Sequence, residues 1–179
     1  MQSRRVQNPI NGLCAVLHKN NEVIMIIMKI SENCYKMENT ANPISPNVFC
    51  ADPTGVEYNG RLYIYGTNDH QQYEAVGDDG KNDYVHIKSI VMLSTDDMVN
   101  WEYHGFIDTA KIAPWIVNSW APSVASLVEA DGKTHFYLYF SNSGCGVGVL
   151  TAEHPLGPWS DPLGKPLICQ NMPGLENCP

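Results

Sequence analysis

One carboxylate in this sequence has neighbours that would aim it. Asp52 lies in Asn47-Val48-Phe49-Cys50-Ala51-Asp52-Pro53-Thr54-Gly55, among polar and turn-forming residues. Proline fixes its own φ and biases the residue before it toward extended backbone. The sequence therefore predicts Asp52 in an extended segment with its side chain held in one direction. A carboxylate held this way serves as a general base or a metal ligand. Asp-Pro also starts turns, and that reading stands beside the chemical one. Four other side chains join it as candidates. Trp120, in Ser119-Trp120-Ala121-Pro122-Ser123, offers a flat ring for a ligand or for a core. Asn118 and Asn68 offer amides to a ligand's hydroxyls or make turns. His70 follows Thr67-Asn68-Asp69 at the end of a predicted strand, where it either meets a ligand or is solvated. Asp78-Asp79 and Asp96-Asp97 carry oxygen atoms that suit calcium, but without EF-hand spacing they read as solvated turns.

The elements that must position these groups are short strands. Val56-Glu57-Tyr58 runs into Asn59-Gly60, a type I′ hairpin signal. Arg61 to Tyr65 alternates, with Leu62 and Ile64 on one face and Tyr63 and Tyr65 on the other. A polar stretch from Asn68 to Asp83 reads as a long loop, and long loops in compact domains are often functional. His86 to Ser94 forms a third strand, Thr95-Asp96-Asp97 a turn, and Trp101-Glu102-Tyr103 begins a fourth. The pattern then recurs. Trp120-Ala121-Pro122-Ser123 leads into Val124 to Glu129, Asp131-Gly132 turns, Thr134 to Phe140 is rich in aromatics, and Gly146 to Thr151 matches Ile90 to Ser94. Trp159 answers Trp101 as a blade-packing residue. A four-stranded antiparallel unit written twice points to β-propeller blades, with a sandwich as the competing architecture. Leu167-Ile168-Cys169 reads as the start of a third blade. The fold class expected is all-β: a β-propeller fragment of about two four-stranded blades, with exposed edges that make the isolated chain aggregation-prone.

Composition narrows the partners. The 179 residues carry a net charge of −8 and no basic run, a poor match to nucleic acid or an anionic membrane, both of which call for Lys and Arg. A neutral small molecule or polysaccharide fits better. The six cysteines, Cys14, Cys34, Cys50, Cys145, Cys169 and Cys178, form no CxxC pair and lie far from zinc-ligand spacing, so scattered reduced thiols are expected. Residues 1–41 lack the turn and aromatic punctuation seen later, and read as an extension of uncertain structure ahead of a propeller at 42–179. Within it, Val23 to Ile30 is a buried strand or short helix, too short to span a bilayer. No signal-peptide cleavage site follows it, which favours a cytoplasmic protein.

Taken together, Asn42-Pro43-Ile44, Ala51-Asp52-Pro53-Thr54, Gly60-Arg61-Leu62-Tyr63-Ile64-Tyr65-Gly66-Thr67, Ser94-Thr95-Asp96-Asp97-Met98-Val99-Asn100-Trp101, Trp120-Ala121-Pro122-Ser123 and His154-Pro155-Leu156-Gly157-Pro158-Trp159 resemble glycoside hydrolase family 43. The resemblance covers about residues 42–166. It implies a five-bladed propeller that cleaves arabinose- or xylose-containing glycans with inversion, and an oligo- or polysaccharide partner. It makes Asp52 the general base that activates water; Trp120, Asn118, Asn68 and His70 are the candidate substrate contacts that a propeller would place near it, each with the core, turn or solvated reading given above. Inversion needs a general acid about 6.5–9.5 Å from the base. The family's acid is a Glu of a later blade, with no match in this sequence. A further Asp tunes that acid. In members with Trp-Ala-Pro-Asp it falls where this sequence has Ser123, and in others it comes from an Asp-Pro of the third blade. Glu129, Glu153 and Glu176 are poor substitutes for the acid. The chain is therefore expected to be an enzyme fragment, inactive alone, needing no cofactor. Some family members hold an axial calcium, whose ligands are not identifiable here. The alternative is a non-catalytic carbohydrate-binding propeller fragment. A fructoside hydrolase would want Asn-Asp-Pro-Asn-Gly where Ala51-Asp52-Pro53-Thr54-Gly55 stands.

Overall fold

Asn59 and Gly60 both adopt positive φ, 53° and 80°, so the sequence's Asn-Gly closes the hairpin between the first two strands of a four-stranded sheet. A computed structural model describes residues 15–17, 23–25, 47–77, 80–81, 83–170 and 172–174. These divide into two units, residues 1–47 and 48–179. The first contains a two-stranded antiparallel sheet, β1 (Ala15–Leu17) and β2 (Val23–Met25). The expectations for residues 26–46, and for Cys14, Cys34, Asp78, Asp79, Glu176 and Cys178, fall outside the described residues.

The second unit is all-β with two sheets. The first runs β3 (Ala51–Tyr58), β4 (Arg61–Thr67), β5 (Ser89–Thr95) and β6 (Glu102–Asp108) in chain order, every pair antiparallel. The second runs β7 (Trp120–Val128), β8 (Thr134–Ser141) and β9 (Val147–Ala152). Meandering sheets of this kind are propeller blades. The expected alternation in β4 holds: Tyr63 and Tyr65 are buried, Leu62 and Ile64 only partly. From β4, Tyr65 points into a core shared with Phe136, Leu138 and Phe140 of β8. Its hydroxyl donates to the Pro155 carbonyl at 2.7 Å, and its ring meets Trp159 edge-on. Gly66 is required by close approach, because a Cβ there would collide with the Cys50 sulfur. Burial also pushes the Cys50 thiol up to about 11.

Two expectations need correction. The polar stretch 68–83 is not all loop: residues 69–76 form a helix, α1 (Asp69–Val76). Its Gln71 and Gln72 face inward and accept from Lys88, Ser89 and His86 instead of water. Next, the second sheet has three strands among the described residues, not four. The place of a fourth is taken by isolated bridges, Thr151 to Ser160 and Val147 to Ile168. Pro155, Pro158, Pro162 and Pro166 supply no N–H to a ladder, which explains the interruption. Ile168, expected at the start of a third blade, makes an isolated bridge to Val147 at the start of β9.

The β5–β6 turn is organised by Asp97. Its carboxylate accepts from the Val99 and Asn100 amides at 2.9 and 2.7 Å and from the Asn100 side chain at 2.6 Å. These hydrogen bonds hold its carboxyl well below the usual carboxylate range. A carboxyl depressed in the folded state stabilises the fold above its unfolded pKa of about 3.9, and that contribution fades as the pH falls through the folded value. Asp97→Ala is therefore expected to lower the thermal midpoint at about pH 7 and to flatten the loss of stability on acidification from about pH 5 to 2. Melting curves of both chains across that range check it. An identical acid slope in the two would show that Asp97 does not carry this linkage.

Candidate functional site

The starts of β3, β5, β7 and β9 and the ends of β4, β6 and β8 lie at one end of the two sheets, as antiparallel order requires. Asp52 and Trp120 open the first strands of their sheets at this end, and Asn68, His70 and Asn118 are in the segments flanking it. The hairpin carrying Glu129 lies at the other end, and Glu153 pairs there with Lys133 at 2.9 Å. Both carboxylates thus stand at the end of the sheets opposite to Asp52.

The two inner strands share an irregularity. Ala51 pairs with Thr67 and Thr54 with Tyr65, so Asp52 and Pro53 face one residue across the ladder. Trp120 pairs with Ser141 and Ser123 with Tyr139, so Ala121 and Pro122 repeat the bulge. Proline fits because a bulge releases its residue from donating. This corrects the expectation of an extended Asp52: its φ is +48°, and Ala121 has +43°. Asp tolerates the left-handed region better than most residues, and a departure of this kind costs on the order of 1–3 kcal/mol. The bulge turns the Asp52 carboxylate out of the ladder into solvent, where it is exposed. Ala121 is anchored to the first blade, its amide donating to the Thr67 hydroxyl at 2.9 Å, and Val124 likewise to Thr54 at 3.2 Å.

Asp69, in the first turn of α1, is a residue that sequence reasoning missed. Burial, then the charge of Asp52, raises its carboxyl above the ordinary range, so the two carboxylates feel each other. Its only sequence signal was its position one residue before His70. His70 is stacked between Phe49 at 5.5 Å and Tyr73 at 5.8 Å, with Nε2 3.2 Å from Glu74. Its Nδ1 is buried without a hydrogen-bond partner.

Both asparagines are committed to the protein. Asn68 donates its amide to the Ser89 hydroxyl at 2.9 Å. Asn118 is 1% exposed and donates to the carbonyls of Tyr84, Val85 and Ile87 at 3.0–3.3 Å. Trp120 is half-buried, and its Nε1 donates to the Tyr84 carbonyl at 3.1 Å. Among the described residues, no group of three or more His, Cys, Asp or Glu side chains is placed to hold a metal ion.

Two meandering antiparallel sheets whose inner strands share a strained bulge define the class: part of a β-propeller. The family model for glycosyl hydrolases family 43 matches residues 40–175. The chain belongs to that family. It is 43% identical over 145 residues to an arabinoxylan arabinofuranohydrolase of Bacillus subtilis strain 168, covering 76% of this chain and 28% of the relative. With an arabinoxylan arabinofuranohydrolase of Paenibacillus polymyxa the identity is 42%, covering 78% of this chain and 23% of the relative. The chain thus spans about a quarter of the length of these relatives. A solved structure of the Bacillus subtilis family 43 arabinoxylan arabinofuranohydrolase, in complex with cellotetraose, matches with a TM-score of 0.68 at 41% identity, over 75% of this chain and 29% of that one. Neighbours of this kind are five-bladed propellers, of which the two sheets described here cover part.

Proposed function

We propose that these blades belong to a hydrolase that removes arabinofuranosyl or xylosyl groups from a xylan-type polysaccharide with inversion, and that Asp52 is its general base. The observation that carries this reading is the Asp52 bulge. The backbone accepts a left-handed φ there, and the exposed carboxylate points away from the ladder. The family membership and the arabinoxylan-cleaving relatives support the substrate class. Water activated by Asp52 attacks the anomeric carbon, and its proton passes to the carboxylate as the C–O bond to the leaving group breaks. The leaving oxygen takes a proton from an acid on the opposite face, a role the family gives to a Glu with no match in this sequence. We propose that the 179 residues alone therefore bind glycan without turning it over. Asn118 and Asn68 act through the loops they hold, leaving Trp120 and His70 to face the sugar.

The experiment compares the 179-residue chain with a chimera. In the chimera, residues 48–170 replace the matching segment of the Bacillus subtilis relative. Both are mixed with soluble arabinoxylan and followed by proton NMR. The expected result is free pentose from the chimera, appearing first as the inverted anomer, and none above background from the chain alone. A retained anomer would overturn the single-base mechanism. Turnover by the chain alone would mean that an acid lies within it.

A further inference from the structure

Tyr84 is a non-glycine residue with φ +62°, in a segment without regular structure, and its ring is 47% exposed. The strain is held from two sides. On one side, its carbonyl accepts from Trp120 Nε1 at 3.1 Å and from the buried Asn118 amide at 3.2 Å. On the other, the neighbouring Asp83 accepts from the buried Gln72 amide at 3.0 Å, while Gln72 Oε1 accepts from the His86 backbone at 2.9 Å. Helix α1 and the start of β7 thus lock one loop between them. The locked loop presents an aromatic ring to solvent. That ring meets Trp120 edge-on, with centroids 6.4 Å apart. Trp120 leads directly to Ala121, which bonds Thr67, and Thr67 pairs with Ala51 beside Asp52. An exposed tyrosine needs no such scaffold merely to be a loop residue. Strain that neighbours hold in place gathers at binding sites, where a group must be fixed before its ligand arrives.

We propose that Tyr84 is a specificity-determining platform: with Trp120 it forms an aromatic corner that stacks on the apolar face of a pentose ring of a neutral glycan, next to Asp52. This rests on the function proposed above and adds to it a residue that reads which sugar sits beside the base. A ring edge-on to Trp120 gives two faces at an angle. Tyrosine suits such a site because it offers a large, rigid surface with few torsions to freeze.

The test uses the full 179-residue chain, with Tyr84→Phe and Tyr84→Gly, in native gels cast with and without soluble arabinoxylan, beside thermal melts. Tyr84→Phe is expected to be retarded within about twofold of the parent. Tyr84→Gly is expected to bind about tenfold more weakly, the usual scale for removing an aromatic anchor. Its melting temperature should not fall, because glycine relaxes the positive φ. Unchanged retardation of Tyr84→Gly would overturn the platform. So would weakening in parallel with a lowered melting temperature, which would mark Tyr84 as a structural residue. Loss of retardation in Tyr84→Phe would replace stacking by a hydroxyl contact and overturn it too. If the parent chain itself is not retarded, the glycan reading of the whole site fails, and the platform falls with it.

Discussion

Asp52→Asn is expected to lower turnover of the chimera by about 10²–10⁴-fold, the scale of one general base, while arabinoxylan binding changes by no more than a few-fold. Asparagine is the informative substitution. It matches the carboxylate in size and is, like Asp, among the residues that tolerate a left-handed φ, so the +48° bulge survives. Alanine would confound loss of the base with added strain. The amide cannot take the proton of the attacking water, so the barrier rises while the substrate contacts of Trp120 and its neighbours stay. The loss should therefore appear in kcat, with KM little changed. Asp69 gives a second readout. Its raised carboxyl owes part of its shift to the charge of Asp52, so Asp52→Asn should lower the Asp69 titration toward the ordinary range, as carbon-detected NMR would show. A chimera keeping its rate within threefold after Asp52→Asn would assign the base elsewhere.

The strands were legible because their signals are local. Asn59-Gly60, Asp131-Gly132 and the alternating tyrosines of β4 each fix a turn or a face within a few residues, and the recurrence of Arg61–Tyr65 as Thr134–Phe140 and of Ile90–Ser94 as Gly146–Thr151 placed the paired strands of both sheets. Helix α1 was not legible, because its inward residues are Gln71 and Gln72, which carry no hydrophobic period and bury themselves by bonding a distant segment. The missing fourth strand of the second sheet was misread from the matching of Trp159 to Trp101. Four prolines nearby argue against a ladder, and Trp159 instead fills the core against Tyr65. Asp52 and Trp120 were singled out by motif, but the geometry of Asp52 was not legible. The local rule for a residue before proline yields to the bulge that the paired strand imposes. Asn118 and Asn68 show a limit of another kind. A sequence gives an amide's type but not whether carbonyls 31–34 residues away will claim it, as for Asn118, or a hydroxyl 21 residues away, as for Asn68. Tyr84 was missed for the same reason: its significance lies in a φ and two donors, none of which a lone tyrosine in a polar stretch reveals.

Phe136→Ala is expected to cost about 3–5 kcal/mol, the usual range for deleting a buried phenylalanine. Against the 5–15 kcal/mol that holds an ordinary domain together, this removes a large part of the stability. Phe136 is fully buried in β8 of the second sheet, and its ring meets Tyr58 of the first sheet edge-on at 5.1 Å. It packs in one cluster with Tyr63 and Tyr65 of β4 and with Leu138 and Phe140 of its own strand. Removing it leaves a void that the flanking strands cannot close, because both are pinned by ladders: Phe136 pairs with Ser126 on one side and Ala152 on the other. The loss should thus be felt by both sheets at once. Phe106→Ala is the control, since that ring is 56% exposed on the edge strand β6, and its removal should shift stability by about 0.5 kcal/mol or less. Urea unfolding followed by far-UV circular dichroism and by tryptophan fluorescence separates the cases. The four tryptophans report tertiary packing, Trp159 among them at its contact with Tyr65 of the first sheet, while the dichroism reports the strands themselves. Coincident transitions that move together in Phe136→Ala would mean that the two blades fold as one cooperative body. A fluorescence transition that moves alone would mean that each sheet holds its ladder without the shared core, and the blades would then be joined by packing that can be lost without unfolding either.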